Sequence, residues 1–508
     1  MFFNLKAKAK NVITNHQGAK AYTMTPEMDL YAAVVTSTLS DKVYENGGER
    51  VERIKTLMQK CDPQFVAHLA VYARENMHLR SMPLVLAVEL AKINKGNDLV
   101  SRLVTRVIQR ADELTETLAY YELANQRAGQ TKTLNKLSKQ VQRGVATAFN
   151  KFDEYQLAKY NQDGAIKLKD ALFIVHPKAK DAAQQVIFDK IVKHELATPY
   201  TWETELSALG QVKYANDAEK AAAFKAKWEE LIDSRKVGYM ALMRNLRNIL
   251  EINVSPTHIK KVCAFLANAE QVAKSKQLPF RFLAAYREIK DIQSGYTPSV
   301  LAALEDAVAA SVVNLKGFDF KTAVTIACDV SGSMQKPISA KSKILCYDIG
   351  LMLGMMLQSK CKNAEAGMFG DTWKVINMPS RGILQNVQEF YRREGEVGYS
   401  TNGYLVIDSL IKRQKVMDKV MLFTDCQMWN SNAGNNSIEK SWLKYRQTVA
   451  PNAQLYVFDL AGYGQMPLDL SKGNGVHLIA GWSDKIFDVL AALHEGSDAV
   501  KKINTIEL

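Results

Sequence analysis

The 508-residue sequence has no unbroken run of about 18 apolar residues, so it offers no segment that could cross a bilayer as a helix. Its opening residues, Met1-Phe2-Phe3-Asn4-Leu5-Lys6-Ala7-Lys8, lack the apolar centre of a secretory leader. A cytoplasmic protein without membrane contact is the expectation. Cysteine is scarce. The six (Cys61, Cys263, Cys328, Cys346, Cys361 and Cys426) are scattered, form no Cys-x-x-Cys pair and sit mostly among apolar neighbours, which reads as buried free thiols in a reducing compartment. The eight histidines show no metal-ligand spacing, and there is no Gly-x-x-x-x-Gly-Lys phosphate loop. No nucleophile with a base and an orienting partner stands out either.

What the chain does have is positive charge, unevenly placed. The net charge is +13, and residues 1–318 carry 45 basic against 34 acidic side chains, whereas residues 319–508 carry 21 against 19. A basic first part beside a near-neutral second part points to a polyanion partner for the first, nucleic acid ahead of a membrane surface.

The two parts also differ in hydrophobic period. Residues 1–24 read as a basic, irregular arm with a turn at Asn15 to Gly18. Thr25-Pro26-Glu27 and Asp62-Pro63-Gln64 each place a capping side chain before a proline suited to the first helical position, so a helix starts at each. Helical patterns then succeed one another with short links as far as residue 314, which argues for stacked α-repeats of HEAT-like kind over 25–318. From residue 319 to 508, apolar runs of strand length (322–328, 364–369, 419–424, 454–459, 476–479) alternate with helical patterns (341–358, 382–393, 403–414, 437–448, 483–494). That alternation implies a Rossmann-like, doubly wound parallel sheet. The expected fold is therefore multidomain, α followed by α/β.

The first strand of the second part runs into Asp329-Val330-Ser331-Gly332-Ser333-Met334. A carboxylate and two hydroxyls at alternate positions on a strand-to-helix loop suit a hard cation such as Mg²⁺, which takes compact octahedral oxygen coordination. In a doubly wound sheet, ligands bind beyond the carboxyl ends of the strands, where this loop lies. A plainer reading has the serines cap the next helix and Asp425 start a turn. Asp-x-Ser-x-Ser resembles the metal-ion-dependent adhesion site of von Willebrand factor A domains, which also needs a later threonine and a later aspartate. Thr401, at the start of a helix, and Asp425, after the strand 420–424, follow in that order. The resemblance implies hydroxyl ligands from Ser331, Ser333 and Thr401, with Asp329 and Asp425 binding directly or through water.

The most pronounced basic feature is a predicted helix from about 131 to 152. Lys132, Lys136, Lys139 and Arg143 share one face of it at i, i+4, i+7 and i+11, while Leu134, Leu137, Val141, Val145, Ala148 and Phe152 share the other. Such a stripe suits a phosphate chain, although it could equally be a solvated face. Lys159, Tyr160, Lys167, Lys169, His176 and Lys178 follow closely, and histidine and tyrosine can stack on unpaired bases.

Asn15 to Gly18, Asp62-Pro63 leading to Ala70-Val71-Tyr72-Ala73-Arg74, Arg80-Ser81-Met82-Pro83, Lys169-Asp170 before His176-Pro177-Lys178, and Leu242-Met243-Arg244-Asn245-Leu246 together resemble the TROVE module of the Ro autoantigen family, most of all its bacterial members. That family joins a ring of helical repeats to a von Willebrand A-like domain, so the resemblance spans nearly the whole chain. It implies single-stranded ends of misfolded or structured RNA in the hole of the ring, and small non-coding Y-like RNA on the outer basic surface. Lys159, His176 and Lys178 fall where the family contacts Y RNA, and Arg244 either joins the RNA site or braces the ring. The segment 164–169 lacks a tryptophan found there in many relatives. The expectation is a monomeric, non-catalytic scaffold that presents RNA to an exoribonuclease or another protein whose acidic side chain completes the metal shell. The competing readings are a Mg²⁺-dependent phosphoryl-transfer enzyme, with Asp371 as the loop acid to nominate, and a purely protein-binding adhesion module.

Overall fold

The computed structural model describes residues 12–16, 18–37, 47–125, 137–161, 164–277, 279–312, 318–337, 342–379, 381–428, 437–470, 474–480 and 499–508. The chain forms two compact units. A mixed unit holds Met1–Val51 and Lys213–Ala499, and a helical unit holds Glu52–Val212 and Val500–Leu508.

The mixed unit opens with a hairpin, β1 (Val12–Thr14) and β2 (Lys20–Thr23), followed by α1 (Pro26–Val35), which Thr25 caps by accepting the Met28 amide at 3.3 Å. The sequence pattern leaves residues 1–24 irregular. Their strands are three and four residues long, too short to show a period, and β2 is held by pairing with the distant β8 (Gln465–Met466).

The boundary between the units falls inside α2 (Gly47–Met58), a helix the sequence reading did not include. The helical unit continues through α3 (Pro63–Glu75), α4 (Ser81–Ile93), α5 (Leu99–Val107), α6 (Asp112–Ala124), α7 (Lys139–Phe149), α8 (Glu154–Lys159), α9 (Leu168–Val175), α10 (Ala182–Lys193) and α11 (Trp202–Gly210). Asp62 and Pro63 open α3 as expected, the carboxylate accepting the Gln64 amide at 2.7 Å. Residues Pro83 to Leu90 of α4 are buried without a break, so this helix is covered on all sides. Buried Arg74 ties the helices together. Its guanidinium donates to both carboxylate oxygens of Glu113 at 2.8 and 3.0 Å and to the carbonyls of Val107 and Leu79. Each of its three nitrogens, stripped of water by burial, thus finds an acceptor.

One expected helix is corrected. The pattern predicts a single helix over about 131–152, but Ser138 is extended (φ −52°, ψ 125°) and α7 begins at Lys139. Lys139 and Arg143 keep their helical spacing. Lys132 and Lys136 lie outside the described residues, and no straight stripe runs through Ser138.

In the mixed unit the chain resumes as α12 (Asp217–Asp233), α13 (Tyr239–Arg244), α14 (Leu246–Glu251), α15 (Pro256–Ala267), α16 (Ala269–Ser275), α17 (Pro279–Ile289) and α18 (Thr297–Val312). Asn245 separates α13 from α14, and Asn268 separates α15 from α16, its side chain capping α16 through the Gln271 amide at 3.0 Å. Then come β3 (Ala323–Asp329), α19 (Cys346–Lys360), β4 (Asn363–Phe369), β5 (Trp373–Val375), α20 (Ile383–Arg392), α21 (Tyr404–Lys412), β6 (Lys419–Thr424), α22 (Ile438–Thr448), β7 (Gln454–Asp459), β8 and β9 (Val476–Ala480), while α23 (Ala499–Asn504) belongs from Val500 on to the helical unit. The predicted helix 483–494 falls outside the described residues.

The main sheet has the order β5-β4-β3-β6-β7-β9, parallel except for edge strand β5. Every residue of β6 is buried, as a strand covered on both faces requires. Two contacts bond the preceding helices to this sheet layer. Arg287 of α17 forms a fork with Asp348 of α19 at 2.6 and 2.7 Å, and Glu305 of α18 accepts the Leu384 and Gln385 amides at the start of α20. Among the described residues no helix is long and apolar enough to cross a membrane.

Candidate metal loop and nucleic-acid interface

From β3 the chain crosses to β4 on one side, and β6, on its other side, leads on to β7. The direction of winding therefore reverses between β3 and β6, which opens a crevice at their carboxyl ends. Asp329 ends β3 and Asp425 follows β6, so both carboxylates arrive at that crevice. Asp329 is wholly buried. One of its oxygens accepts the Ser331 amide at 2.9 Å and the other accepts the Thr424 hydroxyl at 2.7 Å. The Ser331 and Ser333 hydroxyls lie 3.2 Å apart, buried Thr401 donates to the Gln427 carbonyl at 3.2 Å, and Asp425 accepts the Gln427 amide at 3.0 Å.

Burial pushes the Asp329 carboxyl up to about 7, and the Asp425 charge adds to the rise. Two buried acids that repel each other, ringed by hydroxyl oxygens, form a donor set that suits a hard divalent cation. The residues therefore fit such an ion. Thr424 and Cys426 escaped the sequence reading. Thr424 orients Asp329 and accepts the Cys426 amide, while Cys426 adopts a left-handed backbone (φ 61°), a strained conformation for a non-glycine residue. A third acid, Asp459 at the end of β7, is also wholly buried and accepts the Ala461 and Gly462 amides; burial raises its carboxyl to about 6. Among the described residues it does not join Asp329 and Asp425 in a three-carboxylate cluster. Exposed Asp371 reaches the rim, accepting the Ser400 amide at 3.3 Å.

The N-terminal hairpin ends against this loop. Asn15 donates to the Met428 carbonyl at 2.9 Å, and the His16 amide donates to the Gln427 side chain at 3.0 Å. The turn expected at 15–18 is present and braces the loop that carries Asp425.

The cations of the helical unit form a second arrangement. Helix α7 buries Val141, Val145, Ala148 and Phe149 and leaves Lys139 and Arg143 exposed. Its Gln142 donates to the Ile174 carbonyl at 3.1 Å, which joins α7 to α9. Asn150, at the end of α7, donates to the Lys178 carbonyl and accepts the Lys180 amide, both at 2.9 Å. This anchors the segment after α9 with His176, Lys178 and Lys180 exposed. Lys169 meets the His194 ring at 3.3 Å, Lys167 is exposed before α9, and the Lys159 ammonium lies over the rings of Tyr155 and Tyr160 at 5.8 and 5.7 Å. Lys151 is committed elsewhere, bonding the Thr105 and Ile108 carbonyls at the end of α5.

The structure thus gathers Lys139, Arg143, Lys159, Lys167, Lys169, His176 and Lys178 onto α7, α8, α9 and their connections. Arg244 belongs to the mixed unit, exposed at the end of α13 and close enough to Arg281 for its charge to lower that guanidinium's pKa, adding to the larger effect of burial. Lys180 and Asn150 were missed by sequence reasoning. Lys180 repeats the spacing of Lys178, whereas an anchoring asparagine leaves no pattern.

A helical unit with exposed cations on α7, on α9 and in their connections, in a chain that also carries a doubly wound sheet with an oxygen-rich loop at its switch point, defines a helical-repeat protein joined to a von Willebrand A-like fold. Residues 10–227 and 192–328 match the TROVE domain, and residues 323–493 match the Ro60 vWA domain. The chain belongs to the TROVE family, which is of RNA-binding type. The solved Ro (RSR) protein of Deinococcus radiodurans superposes with a TM-score of 0.60 over 91% of this chain and 99% of that one; at 17% identity the likeness speaks for the fold. Telomerase protein component 1 of Rattus norvegicus is 22% identical over 322 residues, 48% of this chain and 12% of that protein. Its Mus musculus counterpart is 22% identical over 315 residues, 47% of this chain and 11% of that protein. The chain thus spans only about a ninth of the length of these curated relatives.

Proposed function

We propose that this chain is a non-catalytic RNA scaffold of Ro type. It holds structured, Y-like RNA on the basic face built from α7, α8 and α9, takes single-stranded ends of misfolded RNA into the ring that the family resemblance implies, and serves RNA quality control. The observation that carries this reading is the joint placement of exposed Lys139, Arg143, His176 and Lys178 on elements that Gln142 and Asn150 bond together. Cations fixed on a rigid support release counterions from a phosphate chain without first being ordered, and that produces salt-sensitive affinity. The family match supports RNA as the polyanion.

Mg²⁺ at the Asp329 loop would be held by Ser331, Ser333 and Thr401, with Asp329 and Asp425 binding directly or through water. The ion would supply an electrophilic point that accepts an acidic side chain from a protein partner, for which an exoribonuclease is the proposed type. Thr424 and the Ser331 amide hold Asp329 in place, and the N-terminal hairpin steadies the loop of Asp425.

The test reverses Lys139, Arg143, Lys169 and Lys178 to Glu in the full chain and measures a structured RNA by filter binding across a salt series. Affinity should fall at least a hundredfold at low salt, with a much flatter salt dependence. Retained affinity would remove this face from the site. Sequencing the RNA that co-purifies with the wild type would name the ligand.

A further inference from the structure

Helix α9 buries Leu168, Ala171 and Val175. Its opposite side carries Lys169 and Phe173, whose i, i+4 spacing sets them about 40° apart, and His176 follows as the left-handed residue (φ 50°) that ends the helix. Phe173 is 50% exposed and, among the described residues, has no ring or cation against it. The helical unit's other strongly exposed aromatic, Tyr155, already has the Lys159 ammonium over its ring. A lone exposed phenylalanine is unremarkable on a general surface. Here it stands between a lysine and a histidine, on the face whose charge suits a polyanion, and the segment after it is fixed by Asn150.

We propose that Phe173 is a base-stacking residue: its ring takes an unpaired base of an RNA whose flanking phosphates lie against Lys169 and His176. This rests on the RNA-binding reading above. Cations on either side of a flat apolar face match the alternation of phosphate and base along an unpaired strand, and a paired base offers no free face to cover. The ligand class is therefore structured RNA with a bulge or loop.

The experiment uses the full chain and two blunt-ended RNA hairpins of equal length, one perfectly paired and one with a two-nucleotide bulge carrying 2-aminopurine. Wild type should prefer the bulged hairpin and quench the fluorophore. Phe173→Ala should lose about 5- to 100-fold on the bulged hairpin alone, down to the level of the paired one, with the salt slope unchanged. Phe173→Trp should retain binding and quenching, and Phe173→Leu, which keeps apolar bulk without a π face, should behave as the alanine variant does. Wild-type behaviour of both Phe173→Ala and Phe173→Leu would overturn the stacking role and leave the RNA-binding reading standing. A wild type that binds neither hairpin would overturn both.

Discussion

Glu365 shows how a single side chain can set a local pH limit. On β4, 6% exposed, it accepts from Arg413 at 2.8 and 3.0 Å and from Lys415 at 2.6 Å. Burial alone would raise its carboxyl, but the hydrogen bonds from Arg413 and Lys415 outweigh that, and the net shift is below the ordinary 4.5. A depressed folded value means the stabilisation is complete above pH 4.5 and is lost as the pH falls through the folded value. Glu365→Gln should therefore cost about 1 to 2 kcal/mol at pH 7, with allowance made for the partly exposed cations. In thermal melts at a series of pH values the gap from wild type should close in acid; a gap of constant size would disprove the linkage. At this scale the oxygen-rich loop was readable: Asp329, Ser331, Ser333, Thr401 and Asp425 are singled out by spacing and order, because a carboxylate and hydroxyls at alternate positions are visible in the residues themselves. Thr424 was not, since a threonine at a strand end reads as ordinary β structure until its hydroxyl is seen on Asp329.

Among the elements, the crossing of α5 and α7 depends on Gly144. A methyl group there would lie 2.6 Å from Val104 Cβ and 2.8 Å from the Ser101 carbonyl oxygen, so the two backbones would have to separate. Gly144→Val should destabilise the helical unit by about 1 to 3 kcal/mol, read as an earlier urea midpoint. It should also weaken RNA binding, because α7 carries Lys139 and Arg143. Wild-type stability in that variant would mean that α5 and α7 do not pack as described. Long periodic helices and the five main parallel strands were readable, since burying one face fixes the period of apolar residues. Breaks were not. Ser138, Asn245 and Asn268 interrupt their helices through local backbone choices that leave the hydrophobic pattern intact, and the β1–β2 hairpin gains its partner from residues more than 440 positions away.

For the molecule as a whole, the two arrangements should separate in function. The cations proposed to meet RNA on α7, α8 and α9 lie in the helical unit, and the loop proposed to hold Mg²⁺ lies in the mixed unit with its bracing hairpin. Mg²⁺ should raise the thermal midpoint of the wild type, by an amount equivalent to about 2.7 kcal/mol at a hundredfold excess over its dissociation constant. Asp329→Ala should abolish that rise and leave structured RNA affinity within about twofold; equal loss of both would contradict the division. Composition, hydrophobic period and the Asp-x-Ser-x-Ser spacing determined that the chain is helical first and α/β second, with positive charge concentrated in the first part, because these properties are carried by residues near one another along the chain. Only the tertiary structure decided that Asn15 and His16 brace the loop of Asp425, that residues 213–312 belong to one compact unit with the sheet, and that Phe173 is left uncovered between Lys169 and His176. Each of these depends on which distant surfaces meet, and burial and hydrogen bonding settle that only once the chain has folded.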